Sequence, residues 1–203
     1  MGTFNLTRRF LGVDEMKTSL SVVGLTGHAR AGKNHVGNLI RDFYGYITWA
    51  YAFPLKQRVY STRDEWPLEN VVGQKGKSEE LRRVLQQEGT ERARQAIRED
   101  IWVRATEAFL YLVESEWAGL VNGVVICDVR FPNEAEYIRQ RQGKILRIRN
   151  DDLDLSLPMY NHGSETSIND IEVDGVIDNT GQPDKQQLLK ELQTYFFVND
   201  QET

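Results

Sequence analysis

A glycine-rich turn between an apolar run and a helical repeat most restricts the fold of this chain. Residues 19–26 are rich in Val and Leu, which predicts a short buried strand, and residues 36–44 have helical spacing. The turn between them, Gly27-His28-Ala29-Arg30-Ala31-Gly32-Lys33-Asn34, fits Gly-x4-Gly-Lys. Such a turn points backbone N–H groups and a helix N-terminus at phosphate oxygens, which Lys33 would also reach. The pattern therefore predicts a phosphate-binding loop.

The residue after the loop lysine is unusual. A Ser or Thr normally stands there and its hydroxyl binds Mg²⁺, whereas this chain has Asn34. An amide oxygen can ligate a hard cation directly or through water. We therefore predict a magnesium site shared by Asn34 and Asp128.

A second motif, Asp128-Val129-Arg130, follows the apolar run at residues 124–127. Ligands of parallel sheets bind beyond the carboxyl ends of the strands, so Asp128 should lie beside the phosphate loop. There Asp128 would hold the water shell of Mg²⁺, and Arg130 would clamp a phosphoryl group. The alternative is structural, with Asp128 capping a helix and Arg130 as its ion-pair partner.

Predicted strands and helices alternate along the chain. Further strands are expected at residues 46–51, 124–127, 144–149 and 176–177, and helices at 78–97, 100–117, 133–142 and after Pro183. Alternation of this kind predicts a parallel sheet covered on both faces. One helix should bury a single apolar face, made of Ile101, Ala105, Ala108, Phe109, Leu112 and Val113. The long polar loop at 150–165 is typical of a functional segment.

Composition excludes several classes. The net charge of −5 disfavours a protein held to nucleic acid by phosphate contacts. One cysteine excludes a disulfide framework, and no apolar run is long enough to span a membrane, so we expect a cytoplasmic protein without membrane association. A homodimer is left open. Residues 1–18 are interpreted as an arm or tag and residues 19–203 as one domain.

Several segments, in order, carry a resemblance. They are the phosphate loop, Ala52-Phe53-Pro54-Leu55-Lys56, Leu85-Gln86-Gln87-Glu88-Gly89-Thr90-Glu91, Asp100-Ile101-Trp102, Asp128-Val129-Arg130-Phe131-Pro132-Asn133-Glu134, His162-Gly163-Ser164-Glu165 and Val176-Ile177-Asp178-Asn179. Between residues 20 and 196 the chain resembles the P-loop deoxynucleoside monophosphate kinases of tailed bacteriophages. Asn34-His35 departs from the Asp-Thr typical of that family.

The resemblance implies a P-loop NTPase sandwich of three layers, with about five parallel strands, mobile acceptor-binding helices at about 53–117 and a lid-like loop at about 150–165. It also implies that the γ-phosphoryl group of ATP, with Mg²⁺, moves to a deoxynucleoside 5′-monophosphate (dNMP). Arg94 looks like the arginine that binds the acceptor phosphate, and Asn179 resembles the position beside the adenine.

Each of the other candidate residues could serve either substrate binding or the structure. Phe53 and Lys56 would offer the acceptor an aromatic face and a cation, or else serve helix packing and the surface. Trp102 would stack on a base or lie in the core. His162, Ser164 and Glu165 are substrate candidates, although a helix N-cap would explain Ser164.

Arg147 and Arg149, at the start of the long loop, are candidate lid arginines that would neutralise the transferring group. Two alternative functions remain open. One is a P-loop kinase of another small acceptor such as dephospho-coenzyme A, and the other is a switch that binds ATP without turnover.

Overall fold

Five parallel strands form the centre of the protein in a computed structural model that describes residues 20–73 and 77–196. Their order across the sheet is β2-β3-β1-β4-β5, so β1, which leads into the phosphate loop, lies between β3 and β4. The strands are β1 Ser21–Thr26, β2 Tyr46–Trp49, β3 Gly123–Val129, β4 Lys144–Arg149 and β5 Gly175–Asp178. The carboxyl ends of β1 and β3 therefore open side by side at one edge of the sheet.

Eight α-helices are present in the described ranges. They are α1 Lys33–Tyr44, α2 Phe53–Thr62, α3 Leu68–Val72, α4 Glu79–Gln86, α5 Ile101–Glu116, α6 Pro132–Gln140, α7 Gly163–Thr166 and α8 Lys185–Phe196. A π-helix, Gln87–Gln95, continues directly from α4, and two 3₁₀ turns, Pro158–Asn161 and Ser167–Asp170, flank α7.

The two faces of the sheet are buried in separate cores. Val23 and Leu25 of β1 pack with α1 and α8, whereas Val22 of the same strand packs with α2, α5 and α6. Successive side chains of a strand point to opposite faces, so a strand covered on both sides is apolar throughout. The structure confirms the predicted P-loop sandwich of three layers.

The predicted helix at residues 78–97 is not one α-helix. It is α-helical only to Gln86 and then widens into the nine-residue π-helix. Gly89 lies so close to Leu55 of α2 that a Cβ would fall 2.7 Å from Leu55 Cδ2, and the Gly89 carbonyl accepts a hydrogen bond from Trp102 Nε1 at 3.0 Å. These contacts come from distant segments, and residue spacing cannot reveal them. π-Helical turns are often found at functional sites.

The apolar face predicted for α5 is correct only in part: Val113 is buried, and Ile101 and Phe109 pack against the core. Trp102, Thr106, Leu110 and Val113 are its buried residues, whereas Ala108 and Leu112 are exposed. The reason is Thr106, which is fully buried and whose Oγ1 accepts a hydrogen bond from Trp49 Nε1 at 3.0 Å. A polar residue on the inner face shifts the buried stripe away from the one that apolar spacing indicates.

The remaining boundaries differ by a few residues. β2 ends at Trp49 rather than at residue 51, because the next backbone N–H groups bond to Asp128 instead of to a strand. Helix α6 begins at Pro132, and the last helix begins at Lys185, two residues after Pro183. The predicted arm at residues 1–18 lies outside the described residues. Within them, every helix is too short or too polar to cross a bilayer.

Candidate functional site: a phosphate loop beside the end of β3

The turn after β1, predicted to bind phosphate, is tight and contains three residues with positive φ angles. Gly27, Arg30 and Gly32 all have positive φ angles, of 133°, 68° and 101°. A Cβ on Gly27 would lie 2.4 Å from the Ile148 carbonyl oxygen, and one on Gly32 would lie 2.2 Å from Asn179 Nδ2. Space and conformation both require a glycine at position 27, where the neighbour is backbone, whereas at Gly32 the neighbour is a side chain and the positive φ angle is the main constraint.

Helix α1 begins immediately after Gly32, so its positive end faces the loop. Ala31 is buried, while Arg30 is exposed at the top of the loop. Asn34 is exposed on the first turn of α1. The predicted phosphate-binding residues therefore lie together at one end of the sheet.

Lys33 is folded back on its own loop. Its Nζ donates hydrogen bonds to the carbonyl oxygens of Gly27, at 2.6 Å, and His28, at 2.7 Å, and the residue is only 8 % exposed. Burial, with a smaller repulsion from Arg130, lowers the pKa of Lys33 to about 7, although the carboxylates of Glu165 and Asp128 oppose the shift. A bound phosphate would supply the negative charge that this ammonium lacks.

Asp128 organises the backbone beside the phosphate loop. Its Oδ1 accepts the Tyr51 N–H at 2.7 Å and its Oδ2 accepts the Ala52 N–H at 3.0 Å, so it holds the start of α2 against the end of β3. The structural alternative was that Asp128 caps a helix and pairs with Arg130. Asp128 does hold the start of a helix, but Arg130 pairs with Glu165 instead.

The donor set fits magnesium that is bound mainly by phosphates and water. Asn34 offers an amide oxygen, and each carboxylate oxygen of Asp128 has a second lone pair left for a metal-bound water. Thr26 at the end of β1 is in register with Val129 of β3, so Asp128 lies near the phosphate loop, and its charge raises the pKa of Lys33. In the described residues, no group of three His, Cys, Asp or Glu side chains could hold a metal without such outside ligands.

Arg130 directly follows β3, and its side chain points toward the end of the long loop. Its Nη1 donates to Glu165 Oε1 and to Ser164 Oγ, the latter at 3.1 Å. Glu165 is 3 % exposed, and its other oxygen accepts the Ala29 N–H of the phosphate loop at 2.8 Å. Arg130 and the phosphate loop are therefore joined through one buried carboxylate.

The segment from Pro158 to Asp170 packs on the phosphate loop. Tyr160 is buried, its hydroxyl donates to the Ala29 carbonyl at 3.2 Å, and its ring meets the ring of His28 edge-on. His162, and not Ser164, is the N-cap of α7, because its Nδ1 accepts the Ser164 N–H at 3.2 Å. The cap interpretation of Ser164 was wrong, and this serine is instead a partner of Arg130.

Lys56 and Phe53 lie on the first turns of α2, next to Asp128. Burial lowers the pKa of Lys56, Asp128 raises it and Arg130 lowers it further, so the ammonium lies near both groups. Phe53 is partly buried with its ring tilted against Trp49, 5.0 Å between ring centres. Together they form one side of a cationic region that also contains Arg130.

Lys77 belongs to the same region and was missed. Burial lowers the pKa of Lys77 to about 8, with repulsion from Lys56 and Arg82 adding to the shift. No motif marks this residue, because a lysine in a polar stretch that also contains Lys75 looks like any surface lysine. Only the fold brings it near Lys56.

The side chains of Arg94 and Trp102 are more deeply buried than a contact with substrate requires. The Arg94 guanidinium pairs with Glu134, lies 4.0 Å from the centre of the Phe131 ring and donates to the Glu99 carbonyl at 3.0 Å. Trp102 is 8 % exposed and packs in the core, as its structural alternative proposed. Glu134 also accepts the N–H groups of Arg130 and Phe131, so Arg94 supports the turn that carries Arg130.

The remaining candidate residues belong to β4 or follow β5, on the other side of β1 from β3. Arg149 is exposed and pairs with Asp178 and Asp151, and Arg147 donates to the carbonyl oxygens of Ile168 and Ile171. Neither has a described contact with the phosphate loop. Asn179 does contact it, since its Nδ2 donates to the Ala31 carbonyl at 2.9 Å.

Comparison with known proteins gives only a distant likeness. No family model and no curated protein sequence matches the chain. Among solved structures, a dephospho-CoA kinase from Campylobacter jejuni is 15 % identical over 86 % of this chain and 96 % of its own, with a TM-score of 0.45. A sugar kinase from Janibacter sp. is 14 % identical over 87 % and 94 %, with a TM-score of 0.43. A shikimate kinase from Bacteroides thetaiotaomicron is 13 % identical over 86 % and 97 %, with a TM-score of 0.40. Likenesses this loose carry no argument about activity.

Proposed function

We propose that this protein is a phosphotransferase that moves the γ-phosphoryl group of ATP to a small acceptor, a deoxynucleoside 5′-monophosphate. One observation carries the proposal. Arg130 Nη1 pairs with Glu165, whose other oxygen accepts the Ala29 N–H of the phosphate loop at 2.8 Å, and the charge of Arg130 lowers the pKa of both Lys33 and Lys56. Arg130 is therefore near the cation that would hold the donor phosphates and near the cation that would hold an acceptor phosphate.

The chemistry suits such a site. An oxygen of the acceptor phosphate attacks the γ-phosphorus, the bond from that phosphorus to the bridging oxygen of ADP breaks, and charge spreads over the transferring group. Lys33 and Arg130 stabilise that charge from two sides, which is the main form of catalysis for phosphoryl transfer. When bound with ATP, Mg²⁺ would add positive charge at the β and γ oxygens, with Asn34 and Asp128 as the residues that would hold it.

The acceptor side has the parts that a nucleoside monophosphate needs. Lys56 and Lys77 provide cations for the phosphate, and the Phe53 ring lies next to Lys56 on the same helix, where a base can stack. The Asp128 carboxylate fixes the start of α2 by accepting two backbone N–H groups, so the acceptor side is held at a set distance from the phosphate loop.

A second candidate is a switch that binds ATP without turnover. Two features favour it: Arg130 is paired with Glu165, and Asn34 replaces the usual metal-binding hydroxyl. Another small acceptor, such as dephospho-coenzyme A, is the alternative within the kinase class.

The test is a product assay with ATP, Mg²⁺ and each of dGMP, dTMP, dCMP and dAMP. We expect ADP and a dNDP in equal amounts with at least one acceptor. Lys56→Ala should raise KM for the dNMP at least tenfold with little change in KM for ATP. Lys190→Ala, on the exposed side of α8, is the matched control and should change neither. ATP binding without dNDP formation would favour the switch, and turnover only with dephospho-coenzyme A would favour the other kinase.

A further inference from the structure

One buried carboxylate joins the two halves of the site. Glu165 Oε2 accepts the Ala29 N–H at 2.8 Å, and Glu165 Oε1 accepts from the Arg130 guanidinium. The two contacts span 136 and 35 residues of sequence, and the carboxylate is 3 % exposed. A side chain so enclosed, with both oxygens engaged, is poorly placed to bind substrate directly.

The surroundings of Glu165 restrain both partners. The Tyr160 hydroxyl donates to the Ala29 carbonyl, so the Ala29 residue is held at its N–H and at its C=O by one segment of chain. Ser164, next to Glu165, gives Arg130 a second acceptor at 3.1 Å. Arg147 anchors that segment to β4 through the carbonyl oxygens of Ile168 and Ile171.

We propose that Glu165 is a positioning residue that couples the phosphate loop to Arg130, so that the arginine is aimed at the transferring phosphoryl group by the same carboxylate that orders the donor loop. This rests on the proposed function. It assigns Glu165 a role through Arg130 and Ala29, in place of the direct substrate contact predicted from the sequence.

The chemistry of a carboxylate is essential to this role. A glutamine has one carbonyl oxygen and one NH₂ donor, so Glu165→Gln can accept from Ala29 or from Arg130 but not from both oxygens. The substitution also leaves Arg130 without its counter-charge. The volume of the side chain is unchanged, so packing around α7 is retained.

The kinetic test is a double-mutant cycle. Glu165→Gln should lower kcat roughly 10- to 100-fold, with KM for ATP within about threefold of wild type. In an Arg130→Ala background, the same substitution should lower kcat at least about fivefold less than it does in wild type, because only the contact of Glu165 with Ala29 is left to lose. Asp170→Asn, an exposed carboxylate of the same segment, is the control and should be silent. An equal loss of kcat in both backgrounds would overturn the proposal.

Hydrogen exchange gives a readout that needs no turnover. Glu165→Ala, which has no side-chain oxygen to accept the Ala29 N–H, should speed amide exchange in a peptide that covers residues 28–33, whereas Arg130→Ala should leave that exchange slow, because Glu165 still holds Ala29. Unchanged exchange in Glu165→Ala would overturn the coupling even if kcat falls. If wild-type protein phosphorylates none of the dNMPs, the proposed function fails, and the exchange result alone decides whether Glu165 holds the loop.

Discussion

Proton uptake on nucleotide binding is the sharpest consequence of the buried loop lysine. Burial, followed by repulsion from Arg130, lowers the pKa of Lys33 to about 7 in the protein without nucleotide. The phosphates of a bound nucleotide restore an anionic partner and raise that pKa. Binding above pH 7 must therefore draw a proton from solution.

The magnitude follows from the two protonation states. At pH 8 a group with a pKa of about 7 is ~10 % protonated, so a nucleotide that needs the full ammonium takes up ~0.9 proton. At pH 6 the group is ~90 % protonated and the uptake falls to ~0.1 proton. By linkage the affinity weakens as pH rises, roughly 50-fold between pH 7 and pH 9.

The assay is isothermal titration calorimetry of ADP binding in two buffers with different ionisation enthalpies. At pH 8 the terminal phosphate of ADP is almost fully ionised and histidine is mostly neutral, so neither masks the lysine. Lys33→Arg is the matched variant, because guanidinium stays charged at every accessible pH. It should bind ADP with most of the wild-type uptake lost, and any remainder would come from Lys77, whose pKa is about 8. Uptake below ~0.2 proton at pH 8 in wild type, or the same uptake in Lys33→Arg, would refute the reasoning.

Two further predictions concern stability. Arg94→Met leaves Glu134 buried without its guanidinium and should cost about 3–5 kcal/mol in the free energy of unfolding, most of it recovered by adding Glu134→Gln. Arg92→Met, at an exposed side chain, is the control; an unchanged Tm with a higher KM for dNMP would instead support acceptor binding by Arg94. Leu110→Ala should cost about 2–5 kcal/mol and Leu112→Ala less than ~0.5 kcal/mol by urea unfolding, since only Leu110 is buried. Equal costs would mean that the buried face of α5 is misplaced.

Local patterns were sufficient for the framework of the fold. β1, β4 and the phosphate loop were predicted because a buried strand, a glycine turn and a helix start are encoded within a few neighbouring residues. The same holds for Asp128 and Arg130, which directly follow a strand whose carboxyl end must face the loop. The residues that these patterns placed are those whose positions depend on nearby sequence.

What sequence patterns could not supply is which distant groups meet. The Arg94 guanidinium was expected to face an acceptor, yet it pairs with Glu134, 40 residues away. Thr106 turned the buried face of α5 because Trp49, 57 residues away, donates to it. Lys77 carries no motif. Such contacts depend on packing in three dimensions, which the periodicity of one segment does not reveal.

The acidic balance of the chain and its anion-binding site are compatible, because the acids at the site are engaged by the backbone. Asp128 accepts two backbone N–H groups, Glu134 accepts two and Glu165 accepts one. Each holds the end of a loop in place, and the amide hydrogens offset part of its negative charge. Glu165 and Glu134 also pair with arginines, whereas Lys33 bonds only to carbonyl oxygens among its described contacts. A chain with net charge −5 can thus leave Lys33 without a carboxylate bonded to it, because the nearby carboxylates hold the loop around it.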